Sequence, residues 1–184
     1  MSSKTDLARL VRERSLELGS FTLASGRKSG YYIDARRTTM SAKGLELIGD
    51  LGLASIRGAG LEPSSVGGLT LGADPVAYAI ARASRASPPT VDAFTVRKEP
   101  KGHGTKRQIE GCFSPEAPVV VIEDVMTTGE SALRACEAVS DAGGVILAVL
   151  TVVDREEGGR QRIEASGHQL LALLTLRDLG VTPS

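Results

Sequence analysis

Two groups of side chains in this 184-residue chain are spaced for work on phosphates. The first is the run EDVMTTGES, from Glu123 and Asp124 through Val125 and Met126 to Thr127, Thr128, Gly129, Glu130 and Ser131. Hydroxyls and backbone N–H groups at a helix start, with the positive end of the helix dipole, suit a phosphate monoester, and a glycine lets the backbone approach its oxygens closely. Paired acids beside such a cradle make sense if they accept hydrogen bonds from sugar hydroxyls, or if Mg²⁺ screens them. An ordinary capped helix accounts for the Thr and Ser residues but not for adjacent acids after a buried strand. The second group is Arg97, Lys98, Lys101 and His103 in RKEPKGHG. Together they can surround a highly anionic ligand, and they repel one another without it.

These groups need elements to hold them. The uninterrupted apolar run Val119, Val120, Val121 and Ile122 reads as a strand of a parallel sheet, buried on both faces and stopping at the two acids. A helix over about 130–142 follows the cradle. Earlier, residues 5–18 read as an amphipathic helix with Leu7, Leu10, Val11 and Leu18 on one face and Gly19 ending it. Residues 21–40 read as a hairpin-like excursion around Ser25, Gly26 and Arg27. Ser41 can cap a helix running to about residue 57, with Gly58 and Gly60 at its end. Strands are expected at 65–71, 91–96, 145–153 and 169–176, and a helix near 76–85 opened by Gly72, Ala73, Asp74 and Pro75. Pro100, Gly102 and Gly104 argue against a regular helix after the 91–96 strand, so residues 97–108 are expected to form a long surface loop, a length often used for lids. Asp154 and Arg155 close the 145–153 strand, where an Arg is well placed to meet an acidic substrate. A short polar tail ends the chain.

Composition narrows the class further. The 22 basic and 22 acidic side chains cancel, so no global field recruits nucleic acid or an anionic membrane. No apolar run approaches a bilayer span, and the charged N-terminal pattern is unlike a signal peptide; a cytoplasmic protein is expected. Cys112 and Cys136 lack metal-ligand spacing, and Cys136 falls with Ala132, Leu133, Ala135 and Val139 on one helix face, as core. The basic loop carries no interleaved aromatics, which a single-strand stacking platform would need.

The stretch VVVIEDVMTTGESAL resembles the signature of the phosphoribosyltransferase family: an apolar strand, two acids, and a Thr/Gly/Ser-rich loop for the ribose 5-phosphate of 5-phosphoribosyl 1-pyrophosphate (PRPP). It is distinct from a Walker A loop, since no Lys follows the glycine. RKEPKGHG resembles the catalytic loop of the orotate phosphoribosyltransferases. SGRKS followed by Tyr31 and Tyr32 is similar to their N-terminal hood, and Asp154-Arg155 to the pair that helps hold the base. The resemblance implies an α/β, type I phosphoribosyltransferase fold, a central mostly parallel sheet flanked by helices. It further implies a single domain over 1–184, with a hood at about 1–40, a core at about 41–184 and a mobile catalytic loop at about 97–108. The implied reaction joins orotate and PRPP into orotidine 5′-monophosphate and pyrophosphate.

In that reading Arg97, Lys98, Lys101 and His103 are catalytic and bind PRPP with residues 123–131. Thr127 and Arg155 hold orotate, and Mg²⁺ is bound mainly through PRPP. The resemblance also implies a homodimer with shared active sites, and neither a nucleic-acid nor a membrane partner. Two positions depart from the family pattern. Ala24 stands where many relatives carry Lys, and Ala73-Asp74 where several carry Tyr-Lys, so those positions offer no basic side chain. The central motif alone also allows a phosphoribosyltransferase for another base, or a PRPP-sensing regulator.

Overall fold

Helix α1 (Lys4–Arg14) starts at Ser3, whose Oγ accepts the Asp6 N–H at 3.0 Å, and it buries Leu7, Ala8 and Val11. The structure is a computed structural model and describes residues 3–22, 28–99 and 108–182. The helix is shorter than its apolar spacing suggests. Ser15 is buried, its hydroxyl shares a 2.7 Å hydrogen bond with Thr38, and its carbonyl accepts the Asp34 N–H at 2.9 Å. Those bonds turn the chain into strand β1 (Leu16–Thr22), antiparallel to β2 (Lys28–Ile33), and leave Leu18 73% exposed instead of on the helix's core face. In β2 Ser29, Tyr31 and Ile33 face inward while Lys28, Gly30 and Tyr32 face out, the period-two pattern of a half-buried strand. The hairpin tip expected at Ser25, Gly26 and Arg27 lies outside the described residues, as does Ala24.

A short helix α2 (Arg36–Thr39) leads to α3 (Ala42–Gly58), where the Ser41 hydroxyl caps the Gly44 N–H as the sequence suggests. Then come β3 (Ser65–Leu69), α4 (Ala73–Ser84), β4 (Asp92–Val96), the short β5 (Ile109–Gly111), β6 (Pro118–Met126), α5 (Glu130–Asp141), β7 (Val145–Asp154), α6 (Gly159–Ala165) and β8 (Leu170–Thr175). These strands form one six-stranded sheet in the order β5-β4-β3-β6-β7-β8, parallel except for β5. Alternate residues of β6 feed opposite faces. Val120 and Ile122 join a core with α1, α3 and α4, and Val119 and Val121 join a second core with α5 and α6. The strand order reverses between β3 and β6, the switch point at which open α/β sheets bind ligands beyond the strands' carboxyl ends.

The polar tail of the sequence reading is a 3₁₀ turn, Arg177–Leu179, that buries Leu176 and Leu179 against the α1 side of the sheet, with Lys4 and Asp178 paired at 2.8 Å. Two leucines among polar neighbours carry no periodic signal, which is why sequence patterning misses this piece.

Candidate active site

Strand β6 does not stop at the acids. It continues to Met126 along β7, whereas its pairing with β3 ends at Ile122. Glu123 and Asp124 therefore stand where β3 has withdrawn, Glu123 lining the cleft beside residues 127–131 and Asp124 against the turn between β3 and α4. Asp124 Oδ1 accepts the Val125 N–H at 2.9 Å. Gly72 sits so close that a Cβ there would lie 2.6 Å from Asp124 Oδ1. Burial, and then the neighbouring Asp124 charge, push the Glu123 carboxyl well above its ordinary range.

Past Met126 the chain turns through Thr127 and Thr128 to Gly129, whose φ of +80° is a left-handed conformation that glycine adopts without penalty. No side chain caps α5, so its first amides are left for an external acceptor. A cleft of about 390 Å³ opens here, lined by Glu123, Val125, Met126, residues 127–131 and Arg134. One contact behind the cradle had no sequence signal: Gly159, at the start of α6, lies where a Cβ would approach the Thr127 carbonyl oxygen to 2.6 Å. A larger residue would push the cradle outward.

The turn between β3 and α4 is braced by the residue that breaks the family pattern. Asp74 is buried and accepts hydrogen bonds from Thr70 Oγ1 at 2.6 Å and Thr95 Oγ1 at 2.8 Å. It thereby fixes residues 70–72 against β4, and helix α4 begins earlier than expected, at Ala73.

The basic loop leaves the sheet between β4 and β5. Its base is closed by Arg97 N–H donating to the Gln108 carbonyl at 2.8 Å and Gln108 Nε2 donating to the Arg97 carbonyl at 3.0 Å. Arg97 Nη1 lies 3.7 Å from Glu110, and Arg134 of α5 donates to the Lys98 carbonyl at 3.2 Å. That last contact ties the loop's entry to the helix that starts at the cradle. Lys101 and His103 lie outside the described residues. Among the described residues, no three His, Cys, Asp or Glu groups are arranged to hold a metal.

Arg155 follows β7 and its N–H donates to the Met126 carbonyl at 2.9 Å, which sets it beside Thr127. It is only 7% exposed. Nε donates to the Tyr31 hydroxyl at 3.0 Å, the guanidinium carbon lies 4.7 Å over the Tyr31 ring, and Nη2 pairs with Glu157 at 2.8 Å. Tyr31 comes from β2, so the N-terminal strand pair and the end of β7 meet at this guanidinium. Neither Tyr31 nor Glu157 stood out in the sequence as a partner for Arg155, since 124 residues separate Tyr31 from it.

A reversing parallel sheet and an uncapped Thr-Thr-Gly turn after paired acids at the sheet's carboxyl edge define a type I phosphoribosyltransferase. No protein-family model matches the chain. It is 47% identical over 182 residues to orotate phosphoribosyltransferase of Aquifex aeolicus, covering 97% of this chain and 98% of that one. Against the same enzyme of Rhodopirellula baltica it is 43% identical over 189 residues, with 99% and 98% covered. The crystal structure of Mycobacterium tuberculosis H37Rv orotate phosphoribosyltransferase in complex with PRPP superposes with a TM-score of 0.82 at 44% identity, covering 97% and 99% of the two chains. The chain belongs to the orotate phosphoribosyltransferase family.

Proposed function

We infer that this chain is a pentosyltransferase that moves the 5-phosphoribosyl group of PRPP onto orotate, giving orotidine 5′-monophosphate and pyrophosphate, a step of pyrimidine nucleotide synthesis. The observation that carries the reading is the cation next to the cradle: a buried Arg155, bonded through its N–H to Met126, puts a partner for a carboxylated base beside a site for ribose 5-phosphate.

The residues divide the work by chemistry. The amides and hydroxyls of residues 127–131 receive the 5-phosphate, with Val125 and Met126 forming the floor of the cleft. Glu123 and Asp124 accept hydrogen bonds from the ribose 2- and 3-hydroxyls. Thr127 and Arg155 hold orotate so that its ring nitrogen faces the anomeric carbon as the bond to pyrophosphate breaks. Positive charge grows on the ribose in that step and negative charge on the leaving group. The two acids favour the former, and Arg97, Lys98, Lys101 and His103 close over the latter and exclude water. No side-chain nucleophile is required. Mg²⁺ would be brought in on PRPP, with the oxygens of Glu123 and Asp124 the donors of suitable hardness nearby. It would supply charge neutralisation on the pyrophosphate.

The working unit is a homodimer in which the basic loop serves the partner's site. Mixing two inactive variants, Lys101→Ala and Gly129→Val, should then restore activity, and no recovery at any ratio would refute sharing. A cytoplasmic setting accords with two free cysteines, one exposed at Cys112, and with no helix among the described residues being long and apolar enough to cross a membrane. The direct test of function is the loss of orotate's ultraviolet absorbance on adding protein to orotate, PRPP and Mg²⁺, with a panel of other bases alongside. Turnover of orotate alone supports the reading; turnover of another base, or PRPP uptake without turnover, overturns it.

A further inference from the structure

The cluster around Arg155 holds more than contact with a base requires. The Tyr31 hydroxyl accepts from Arg155 Nε at 3.0 Å and donates to Glu157 Oε1 at 2.5 Å. The same Glu157 oxygen lies 2.8 Å from Arg155 Nη2, an atom closed off from solvent. The Arg155 and Glu157 side chains are 9% and 4% exposed, so the pair is dry, and the guanidinium lies against the Tyr31 ring face.

A buried guanidinium with no counter-charge is unstable, and one on a free four-bond stem would have to be ordered anew each time a ligand arrived. Glu157 supplies the counter-charge, and Tyr31 fixes Nε and the plane of the group. With Nε on Tyr31 and Nη2 enclosed against Glu157, Nη1 is the edge of the guanidinium left to meet a ligand. With Glu157 in place the pair is locally neutral, so attraction for a ligand comes from donors pointed in a set direction more than from bare charge. That favours a ligand with an acceptor in the guanidinium plane, such as a carboxylate.

We propose that Tyr31 and Glu157 are positioning residues for the base: acting through Arg155, they hold its guanidinium in the orientation that takes a carboxylated pyrimidine and thereby set the preference for that base. This rests on the reading that Arg155 meets orotate. It adds a role for the hood, whose strand β2 carries Tyr31: docking β2 completes the base-binding group and does not only cover it.

The test is steady-state kinetics on the full-length enzyme with Glu157→Gln, Tyr31→Phe, the double variant and Arg155→Ala, with thermal unfolding measured on each. Gln keeps the shape of Glu157 and removes the charge, and Phe keeps the ring of Tyr31 and removes the hydroxyl. The expected result is a rise in KM for orotate of about tenfold for Glu157→Gln and about threefold for Tyr31→Phe, with KM for PRPP within about twofold of the parent. Since the two act through one guanidinium, the double variant should be no worse than Glu157→Gln alone. Unchanged orotate KM in both single variants overturns the proposal, and so does a fall in Glu157→Gln, which would make Glu157 a competitor of the substrate for Arg155. A parallel rise in both KM values with a lowered unfolding temperature also overturns it, as general loss of packing. If Arg155→Ala leaves orotate KM unchanged, the base-binding reading itself fails. If Arg155→Ala raises it while the other variants do not, only the positioning role fails.

Discussion

Replacing Gly72 by alanine adds a single carbon that would lie 2.6 Å from Asp124 Oδ1, 2.7 Å from its Cγ and 2.8 Å from Oδ2. With φ at −64° and ψ at −44°, the Gly72 backbone is one that alanine adopts freely, so strain is not the obstacle. The obstacle is the carboxylate. Asp124 is half-buried at the sheet edge and its side-chain end can swing aside, so folding should lose little, with a Tm shift under about 3 °C. A displaced carboxylate gives up the Val125 N–H and can no longer meet a ribose hydroxyl. A hydrogen bond to a charged group contributes about 1.5–3 kcal/mol, which at about 1.4 kcal/mol per factor of ten is roughly 10- to 140-fold weaker PRPP binding. Calorimetric titration with PRPP and Mg²⁺ reads this directly. Asp124→Asn should fall in the same range, and the two changes combined should be less than additive because they strike one contact. Gly72→Ala binding PRPP within about twofold of the parent would show that Asp124 is not a ribose partner.

Further outcomes follow from the same geometry. Because burial and Asp124 raise the Glu123 carboxyl, the folded chain keeps a proton that the unfolded chain releases above the ordinary value of 4.5, so stability falls as pH rises from there to the raised value. Glu123→Gln should remove that fall and raise Tm at neutral pH, by about 2–4 °C for each kcal/mol recovered, while weakening PRPP binding; a lower Tm would contradict the burial argument. Leu179→Ala, at a residue 1% exposed, should cost about 2–5 kcal/mol in denaturant unfolding, and a cost near zero would mean that the C-terminal turn is not part of the core. A thiol reagent should label Cys112 alone in the native protein, since burial pushes the Cys136 thiol up to about 12; two labels before unfolding would contradict that.

The parts of this molecule legible in its sequence are those where local pattern and tertiary need coincide. The four β-branched residues 119–122 are a buried strand because both sheet faces need apolar cover, and the Thr-Thr-Gly-Glu-Ser run turns into a helix whose first amides no side chain caps. Misreadings arise where a distant partner decides. Leu18 fits the helical spacing of Leu7 and Val11, yet Asp34 and Thr38 bind Ser15 and pull the chain into a strand. Helix α6 opens on paired glycines and buries only Gly159 and Ile163, and β5 is three residues held by β4, so neither carries a periodic signal. Arg155 reads as a candidate from its position after a strand. One of the two residues that fix it, Tyr31, lies on β2, 124 residues away.

The most direct measurement is a crystal structure of the protein with PRPP and Mg²⁺ bound. The 5-phosphate should lie against the amides of residues 127–131, with the ribose hydroxyls on Glu123 and Asp124 and the pyrophosphate within reach of Arg97 and Lys98. A phosphate at any other place, or a ribose turned away from the two acids, would contradict the account.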